Sequence, residues 1–271
     1  MEKKENTDEK IARSLGKIKH KIIVLSGKGG VGKSTVSVNL AFALSEKKYN
    51  VGLMDCDIHG PSIPKILGVE NKRPTLLPNG FSPITITSSL KVMSIGFLLS
   101  DADSPVIWRG PMKMGAIKQF IGDVDWGNLD YLIIDLPPGT GDEPLSIAQL
   151  IPQSDGAVIV TTPQELALVS VRKSINFVKK MNIPIIGIVE NMSGFKCPHC
   201  HKEIDIFKTG GGLQASKDLQ VPFLGKVPLD PEIVQTGDSG EPFLIKKASS
   251  DAAKAFMGIV EKIENIVNQR R

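Results

Sequence analysis

Cysteine is scarce in this sequence, with only 3 residues among 271. Three thiols cannot form the disulfide framework that stabilises small secreted proteins, and so few cysteines are typical of a reducing compartment. Long hydrophobic runs are missing too, because no apolar stretch reaches the roughly 18–20 residues that span a bilayer. The charged first ten residues contain no apolar segment of the kind found in secretory signals. We therefore expect a cytoplasmic protein that does not span a membrane.

The sequence also has little net charge, which is +4 at pH 7. Residues 1–21 hold seven basic and four acidic side chains, so the remaining 250 residues carry only about +1. A nearly neutral body does not predict the basic face of a nucleic-acid-binding protein. The hydrophobic fraction of 41% and the charged fraction of 23% are ordinary for a globular protein. We expect one folded domain over residues 21–271, without a nucleic-acid partner, after a flexible charged arm over residues 1–20.

Short apolar runs alternate with longer helical stretches along this domain. The predicted strands are residues 21–26, 51–54, 90–95, 131–134, 157–160, 185–189 and 223–227, with a weaker strand at 84–87. The predicted helices are residues 33–47, 112–121, 165–181 and 248–268. Buried strands that alternate with helices indicate βαβ units. The sequence therefore predicts an α/β fold, with a doubly wound, mostly parallel sheet flanked by helices.

Two stretches interrupt this alternation and are long enough to suggest function. Residues 58–89 contain five prolines, whereas residues 192–212 contain a Cys-Pro-His-Cys sequence and three consecutive glycines. In an open parallel sheet, ligands bind beyond the carboxyl ends of the strands. We expect the chemistry of this chain to lie at that edge.

A glycine-rich loop lies between the first predicted strand and the first predicted helix. A Gly, four residues, and then Gly-Lys-Ser form the P-loop pattern, whose backbone N–H groups surround phosphate oxygens. We expect ATP as the ligand, with Lys33 beside its β- and γ-phosphates and the Ser34 hydroxyl on Mg²⁺. A glycine-rich turn without a ligand is the alternative. The predicted nucleotide-binding residues here are Gly27, Lys28, Gly29, Gly30, Val31, Gly32, Lys33, Ser34 and Thr35.

Three aspartates follow predicted strands. Asp135 directly follows the predicted strand at residues 131–134, which is a Walker B arrangement, and it is expected close to Mg²⁺. Asp55 and Asp57 follow residues 51–54, and one of them is expected to orient or deprotonate the attacking water, with Asp57 also a candidate Mg²⁺ ligand. An aspartate at a strand end can instead cap the next element. Three at one sheet edge favour a catalytic set, which we predict to include Lys28 and Lys33.

These motifs resemble those of a known group of dimerising ATPases. Lys28, directly after the first glycine, makes the loop a deviant Walker A motif, as in the nitrogenase iron protein, the ParA/MinD positioning proteins and the Mrp/ApbC/Nbp-type iron–sulfur carriers. Residues 55–64, 108–112, 135–142 and 190–193 resemble the carriers most, and the likeness covers about residues 18–265. The resemblance implies a homodimer in which Lys28 reaches toward the partner's nucleotide. It further implies that Asn191 hydrogen-bonds the edge of the adenine base and that the segment from Pro228 to Asp230 flanks that base.

Cys197 and Cys200 form a Cys-x-x-Cys pair in a polar loop. Taken alone, the pair is compatible with a redox dithiol, a zinc site that includes His199 and His201 or a second subunit, two surface thiols, or half of an iron–sulfur site. A [4Fe–4S] cluster takes four thiolates, which a twofold dimer supplies as two pairs. The resemblance favours this interpretation, because the carriers hold their labile cluster with such a pair. Cys56 is expected to pack in the interior.

The resemblance therefore implies a slow ATPase that uses ATP and Mg²⁺, holds a [4Fe–4S] cluster between two subunits and transfers it to apo iron–sulfur proteins. The alternative is a MinD/ParA-like positioning ATPase that acts on a membrane or on DNA. A membrane role requires a basic amphipathic helix. Residues 248–268 do carry an apolar stripe, but charges of both signs on the opposite face favour packing against the core.

Overall fold

The computed structural model describes residues 6–98, 110–197, 199–200 and 202–270. Its main sheet has eight strands in the order β12-β9-β8-β1-β7-β2-β6-β5, and every pairing is parallel except that of β5 with β6. The predicted mostly parallel α/β sheet is therefore confirmed. Its strands are β1 (Ile18–Leu25), β2 (Val51–Asp55), β5 (Ile84–Thr87), β6 (Leu90–Ser94), β7 (Leu129–Asp135), β8 (Gly156–Thr161), β9 (Ile185–Glu190) and β12 (Phe223–Lys226).

Two small hairpins lie outside this sheet, and helices flank it. The hairpins are β3 (Thr75–Leu77) with β4 (Gly80–Ser82), and β10 (Phe195–Lys196) with β11 (Glu203–Ile204). The helices are α1 (Thr7–Gly16), α2 (Lys33–Glu46), α3 (Ile63–Ile66), α4 (Gly110–Gly122), α5 (Asp142–Gln149), α6 (Glu165–Lys180), α7 (Gly211–Leu219), α8 (Pro231–Ser239), α9 (Phe243–Lys246) and α10 (Asp251–Gln269), with a 3₁₀ helix at Ile95–Leu98. None of the helices within the described ranges is long and apolar enough to cross a bilayer.

Burial on both faces explains why the sequences of the central strands are continuous apolar runs. The central strands β2, β7 and β8 are buried along nearly their whole length, because each pairs on both sides and is covered by helices. The last helix, α10, packs against α2, β9 and β12. Its apolar stripe is buried, as the mixed charges on its other face predict; the stripe consists of Phe256, Ile259, Val260, Ile263 and Val267.

The predicted flexible arm over residues 1–20 is wrong for the part that the structure describes. Helix α1 begins at Thr7, and β1 begins at Ile18, three residues before the predicted strand. Ile11 and Leu15 lie four residues apart on one helix face and are buried against the domain, where α1 packs on α4. The many charges obscured this amphipathic spacing.

Two polar contacts support the same packing. The Lys10 ammonium donates to the Asp123 carboxylate at 2.8 Å, and the buried Ser14 hydroxyl donates to the Val124 carbonyl oxygen at 2.7 Å. Helix α1 is thus part of the folded body rather than a solvated extension.

This packing predicts that Leu15→Ala destabilises the protein. Leu15 has no exposed surface, so its truncation removes buried contacts and leaves a cavity, at a cost of about 2–5 kcal/mol in the free energy of unfolding. Leu76→Ala is the matched control, because Leu76 is 76% exposed and its loss should change stability by less than about 0.5 kcal/mol. Urea unfolding measures both; equal, small effects of the two variants would contradict the packing of α1.

Candidate functional site

The predicted phosphate loop forms a tight turn between β1 and α2. Gly30 and Gly32 have φ values of 77° and 79°, a region that residues with a Cβ rarely adopt, and Gly32 caps the start of α2. A Cβ on Gly27 would lie 2.3 Å from the Ser170 carbonyl oxygen, so only glycine fits there. The loop thus has a tight, glycine-dependent backbone directly before the N-terminus of α2, the type of position at which proteins bind phosphate.

One buried carboxylate accepts hydrogen bonds from the polar side chains behind this loop. Asp135 accepts a hydrogen bond from the Lys33 ammonium at 2.6 Å and from the Ser34 hydroxyl at 2.7 Å, both on Oδ2. The Ser37 hydroxyl donates to Oδ1 of the same carboxylate at 2.6 Å. Three of the predicted site residues are thereby brought together. Ser37 was not predicted, and its only signal in the sequence is its position one helical turn after Lys33.

The oxygen atoms of this group of side chains are suitable ligands for Mg²⁺. Ser34 Oγ and the Asp135 carboxylate are oxygen donors in mutual contact, and Mg²⁺ takes hard oxygen ligands together with phosphate oxygens and water. Mg²⁺ bound here would supply positive charge beside the phosphates of a nucleotide.

A second buried aspartate lies beside Asp135 in the sheet. Asp55 and Asp135 are paired in the register of β2 and β7, and Asp55 has no exposed surface. Its carboxylate accepts from the Ser94 hydroxyl at 2.9 Å and from the Asp57 backbone N–H at 3.1 Å. Burial, and then the negative charge of Asp135, raise the pKa of Asp55 to about 7. Asp55 is thus a carboxyl group that exchanges its proton near neutral pH, as a general base requires.

Asp57 lies on the loop that follows β2. Burial also raises the pKa of Asp57, and its Oδ1 accepts from the Gly60 backbone N–H at 3.3 Å. Further along, the His59 imidazole lies 3.5 Å from the Glu143 carboxylate, which links this loop to α5 after β7. The Gly139 N–H also donates to the Ser26 carbonyl oxygen at 2.8 Å, so the loops after β1, β2 and β7 are in contact.

A cavity of about 330 Å³ lies beside the phosphate loop. Thr35, Asn191, Pro228 and Asp230, which the sequence assigns to the nucleotide, all line it. The Asn191 amide donates to the Val31 carbonyl oxygen at 2.9 Å, whereas Asp230 caps α8 by accepting from the Glu232 N–H. A volume above about 300 Å³ is typical of small-molecule sites. Assignment of the cavity to adenine stays a prediction.

The cavity also includes a residue that the sequence did not single out. Asn39 lines it, and its amide donates to the Thr35 carbonyl oxygen at 2.8 Å. The other amide atom, Oδ1, is buried without a hydrogen-bond partner among the described residues. Such an acceptor is uncommon in a protein interior.

Lys28 lies on the phosphate loop, where it is half-buried and its carbonyl oxygen accepts from the Ser26 hydroxyl.

The cysteine pair lies at the tip of the β10–β11 hairpin. The Cys197 N–H donates to the Lys202 carbonyl oxygen at 3.0 Å, Cys197 is half-buried and Cys200 is exposed. Hydrogen bonds from the backbone of Cys200 and His199, and from the Cys200 thiol, lower the pKa of Cys197. A lower pKa favours the thiolate, which is the metal-binding form. Pro198 and His201 lie outside the described residues.

The third cysteine has a different environment. Cys56 is buried, as predicted, and burial raises the pKa of its thiol well above the usual value. Of the residues that the structure describes, no third His, Cys, Asp or Glu side chain joins Cys197 and Cys200 in a metal-binding group. Among the motifs that support the resemblance, residues 108 and 109 also lie outside the described part of the chain.

Comparison with known proteins gives consistent matches. Residues 17–264 match the family model of ParA, described as NUBPL iron-transfer P-loop NTPase. The chain is 58% identical to an iron-sulfur cluster carrier protein of Methanocaldococcus jannaschii, over 95% of this chain and 89% of the relative. It is 51% identical to a protein of the same name from Saccharolobus solfataricus, over 97% of this chain and 89% of the relative.

Two solved structures extend the comparison. A nucleotide-binding protein from Archaeoglobus fulgidus, in complex with ADP, has a TM-score of 0.77 and 40% identity, over 87% of this chain and 92% of the other. The Pyrococcus furiosus cell division ATPase MinD has a TM-score of 0.65 and 26% identity, over 91% and 99% of the two chains. The predicted P-loop NTPase fold is thereby confirmed.

The raised pKa of Asp55 predicts a pH-dependent stability of the nucleotide-free protein. Between the ordinary value of 3.8 and the folded value of about 7, the native state binds more protons than the unfolded state. Stability therefore falls as the pH rises through this window, and the loss is complete above it. Asp55→Asn keeps an acceptor for Ser94 but has no charge, so its melting temperature should exceed that of the wild type at pH 8 and approach it at pH 5.

Thermal unfolding at several pH values measures this difference, which should be about 2–4 °C for each kcal/mol of charge burial. Asp142→Asn is the control, because Asp142 is an exposed carboxylate in the same region and its loss should not produce a pH-dependent difference. A constant offset between Asp55→Asn and the wild type from pH 5 to 8 would show that burial of this charge has no cost.

Proposed function

The chain belongs to the NUBPL iron-transfer family of P-loop NTPases, and on that basis we propose that it is an ATP-dependent carrier of iron–sulfur clusters. One observation carries the proposal. The cysteine hairpin begins four residues after Asn191, which lines the cavity beside the phosphate loop, so the cargo site and the nucleotide site are built on one loop after β9. Positioning ATPases of the MinD type share the fold, but the cysteine pair favours a cluster as cargo.

ATP is the proposed energy source, and hydrolysis is the proposed reaction. Lys33 neutralises charge on the β- and γ-phosphates, while backbone N–H groups of the loop hold their oxygens. Asp55 or Asp57 accepts the proton of the attacking water as the bond to the γ-phosphate breaks, and the raised pKa values of both suit them to that exchange. We propose that hydrolysis is slow and that the loops after β2 and β7 respond to it.

The proposed cargo is a [4Fe–4S] cluster shared by two copies of the chain. Each copy offers Cys197 and Cys200 on an exposed hairpin, whereas Cys56 is buried and keeps its proton. Two identical pairs related by a twofold axis complete the four thiolates of such a cluster. A cluster held at a surface by soft ligands is accessible to an apo-protein that receives it. A cytoplasmic location is part of the proposal, because reducing conditions keep these thiols available.

Replacement of either cysteine should abolish cluster binding. After anaerobic incubation with iron and sulfide, Cys197→Ala and Cys200→Ala should lack the broad absorbance near about 400 nm that the wild type acquires. Nucleotide affinity should change by less than about twofold, because neither thiol lines the cavity. Cys56→Ala is the matched control, since it removes the third thiol and should leave the absorbance intact.

Transfer is measured with the loaded wild type and the apo form of a [4Fe–4S] enzyme, in the presence of an iron chelator. Recovery of enzyme activity without loss to the chelator supports direct transfer. A cluster that forms without Cys197 and Cys200, or one that reaches the enzyme only when the chelator is omitted, would contradict the proposed carrier.

Lys28 is proposed to act on the nucleotide of the partner subunit. Lys28→Ala should then bind ATP but lose about 10²–10³ in kcat, as for removal of one group that stabilises transition-state charge. Lys33→Ala should not hydrolyse ATP in its own site, because the lysine beside the β- and γ-phosphates is missing. A mixture of the two variants forms heterodimers in which one site has Lys33 in place and receives Lys28 from the other chain. We expect the mixture to regain about a quarter of wild-type activity, because half of the dimers carry one complete site.

The ATPase rate of the mixture, measured after dissociation and random reassociation, decides between the two arrangements. Each variant alone serves as the control. A mixture that is no more active than its components would mean that Lys28 acts within its own chain.

A further inference from the structure

A buried carboxylate closes the base of the cysteine hairpin. Glu190 is the last residue of β9 and has no exposed surface. Its carboxylate accepts hydrogen bonds from the Ser193 hydroxyl, from the Gly210 N–H at 2.9 Å and from the Gly212 N–H. Ser193 lies before the hairpin and the two glycines lie after it. One side chain therefore ties together both ends of the segment that carries the cysteine pair.

The three consecutive glycines allow a backbone conformation and close approaches that a Cβ would prevent. Gly210 has a φ of 86° and caps α7, so the N–H groups at the start of that helix point at Glu190. A Cβ on Gly212 would lie 3.0 Å from the Glu190 carboxylate, and one on Gly211 would lie 2.2 Å from the Pro163 carbonyl oxygen. A negative charge at a helix N-terminus is favourable, and N–H donors to a carboxylate are strong ones.

The base of the cysteine hairpin is also hydrogen-bonded to the segment that lines the cavity beside the phosphate loop. The Ser193 N–H donates to the Val227 carbonyl oxygen at 2.9 Å, and the Leu229 N–H donates to the Gly194 carbonyl oxygen at 2.8 Å. Leu229 lines the cavity, as does Asn191, the neighbour of Glu190. The hairpin is thus anchored by backbone bonds on one side and by a carboxylate on the other.

We propose that Glu190 is a positioning residue for the cysteine pair: its carboxylate holds the segment from Ser193 to Gly212 closed and so sets the geometry of Cys197 and Cys200. The consequence for a bound cluster rests on the function proposed above, but the consequence for the free thiols does not. Without the carboxylate, the two ends of this segment separate more readily, and the thiols sample more arrangements.

Glu190→Gln tests the proposal with little change in size. A glutamine has one acceptor oxygen, so its NH₂ group must face an N–H or hydroxyl donor and at least one of the three bonds is lost. In the cluster-free protein, exchange of the Gly210 and Gly212 amides should accelerate about tenfold, as for the loss of one hydrogen bond to a charged group. The rate of Cys197 alkylation at a fixed pH should also rise, because a thiol on a segment that opens more readily is more accessible to the reagent.

Glu203→Gln is the matched control, because Glu203 is an exposed carboxylate on β11 of the same hairpin. It should leave amide exchange and alkylation unchanged. Ser193→Ala removes one of the three donors without burying a new polar group, and it should shift both measurements in the same direction by a smaller amount. If Glu190→Gln does not fold, Ser193→Ala tests the positioning role of Glu190 instead.

In protein that takes up a cluster, Glu190→Gln should release it several-fold faster than the wild type. If the wild type takes up no cluster, the proposed function fails while alkylation and exchange still report on Glu190. Wild-type exchange at Gly210 and Gly212, together with a wild-type rate of Cys197 alkylation, in folded Glu190→Gln or in Ser193→Ala would overturn the positioning role.

Discussion

The contact between Asp135 and Lys33 is the constraint on which the rest of the site depends. Both side chains are buried, and their charged groups are 2.6 Å apart. Either charge alone in this interior would be costly, so the pair fixes the phosphate loop against the end of β7. Ser34 and Ser37 use the remaining capacity of the same carboxylate. The start of α2 and the central strands are thereby held in one arrangement before any ligand binds.

That arrangement also determines the chemistry of the neighbouring groups. Burial of Asp55, and then the negative charge of the neighbouring Asp135, raise the pKa of Asp55 to about 7, although the charge of Lys33 lowers it in part. The cysteine hairpin has the opposite character, since it lies at the surface, where backbone hydrogen bonds lower the pKa of Cys197. The groups proposed for phosphate chemistry thus lie in the interior, whereas the thiols proposed as metal ligands lie at the surface, and the loop after β9 connects the two.

Much of this structure could be predicted from the sequence. Apolar runs locate the parallel strands, and the spacing of glycines, Lys33 and Ser34 locates the phosphate loop, because both patterns are local. Contacts between distant positions have no local signal: Ser37 and Asp135 are 98 residues apart, and Glu190 bonds a glycine 22 residues later. Helix α1 was missed because its charges masked the two apolar residues that anchor it. Helix α7 was missed because glycines, which disfavour helices, begin it.

A cluster shared by two chains is the arrangement on which the proposed function depends. Native mass spectrometry of the anaerobically reconstituted protein tests it most directly, because it reports chain number and metal content in the same particle. If two chains share one cluster, iron and sulfide occur only on dimers, as one four-iron, four-sulfide unit per two chains. A monomer that carries a complete cluster, or a dimer that carries two, would contradict it.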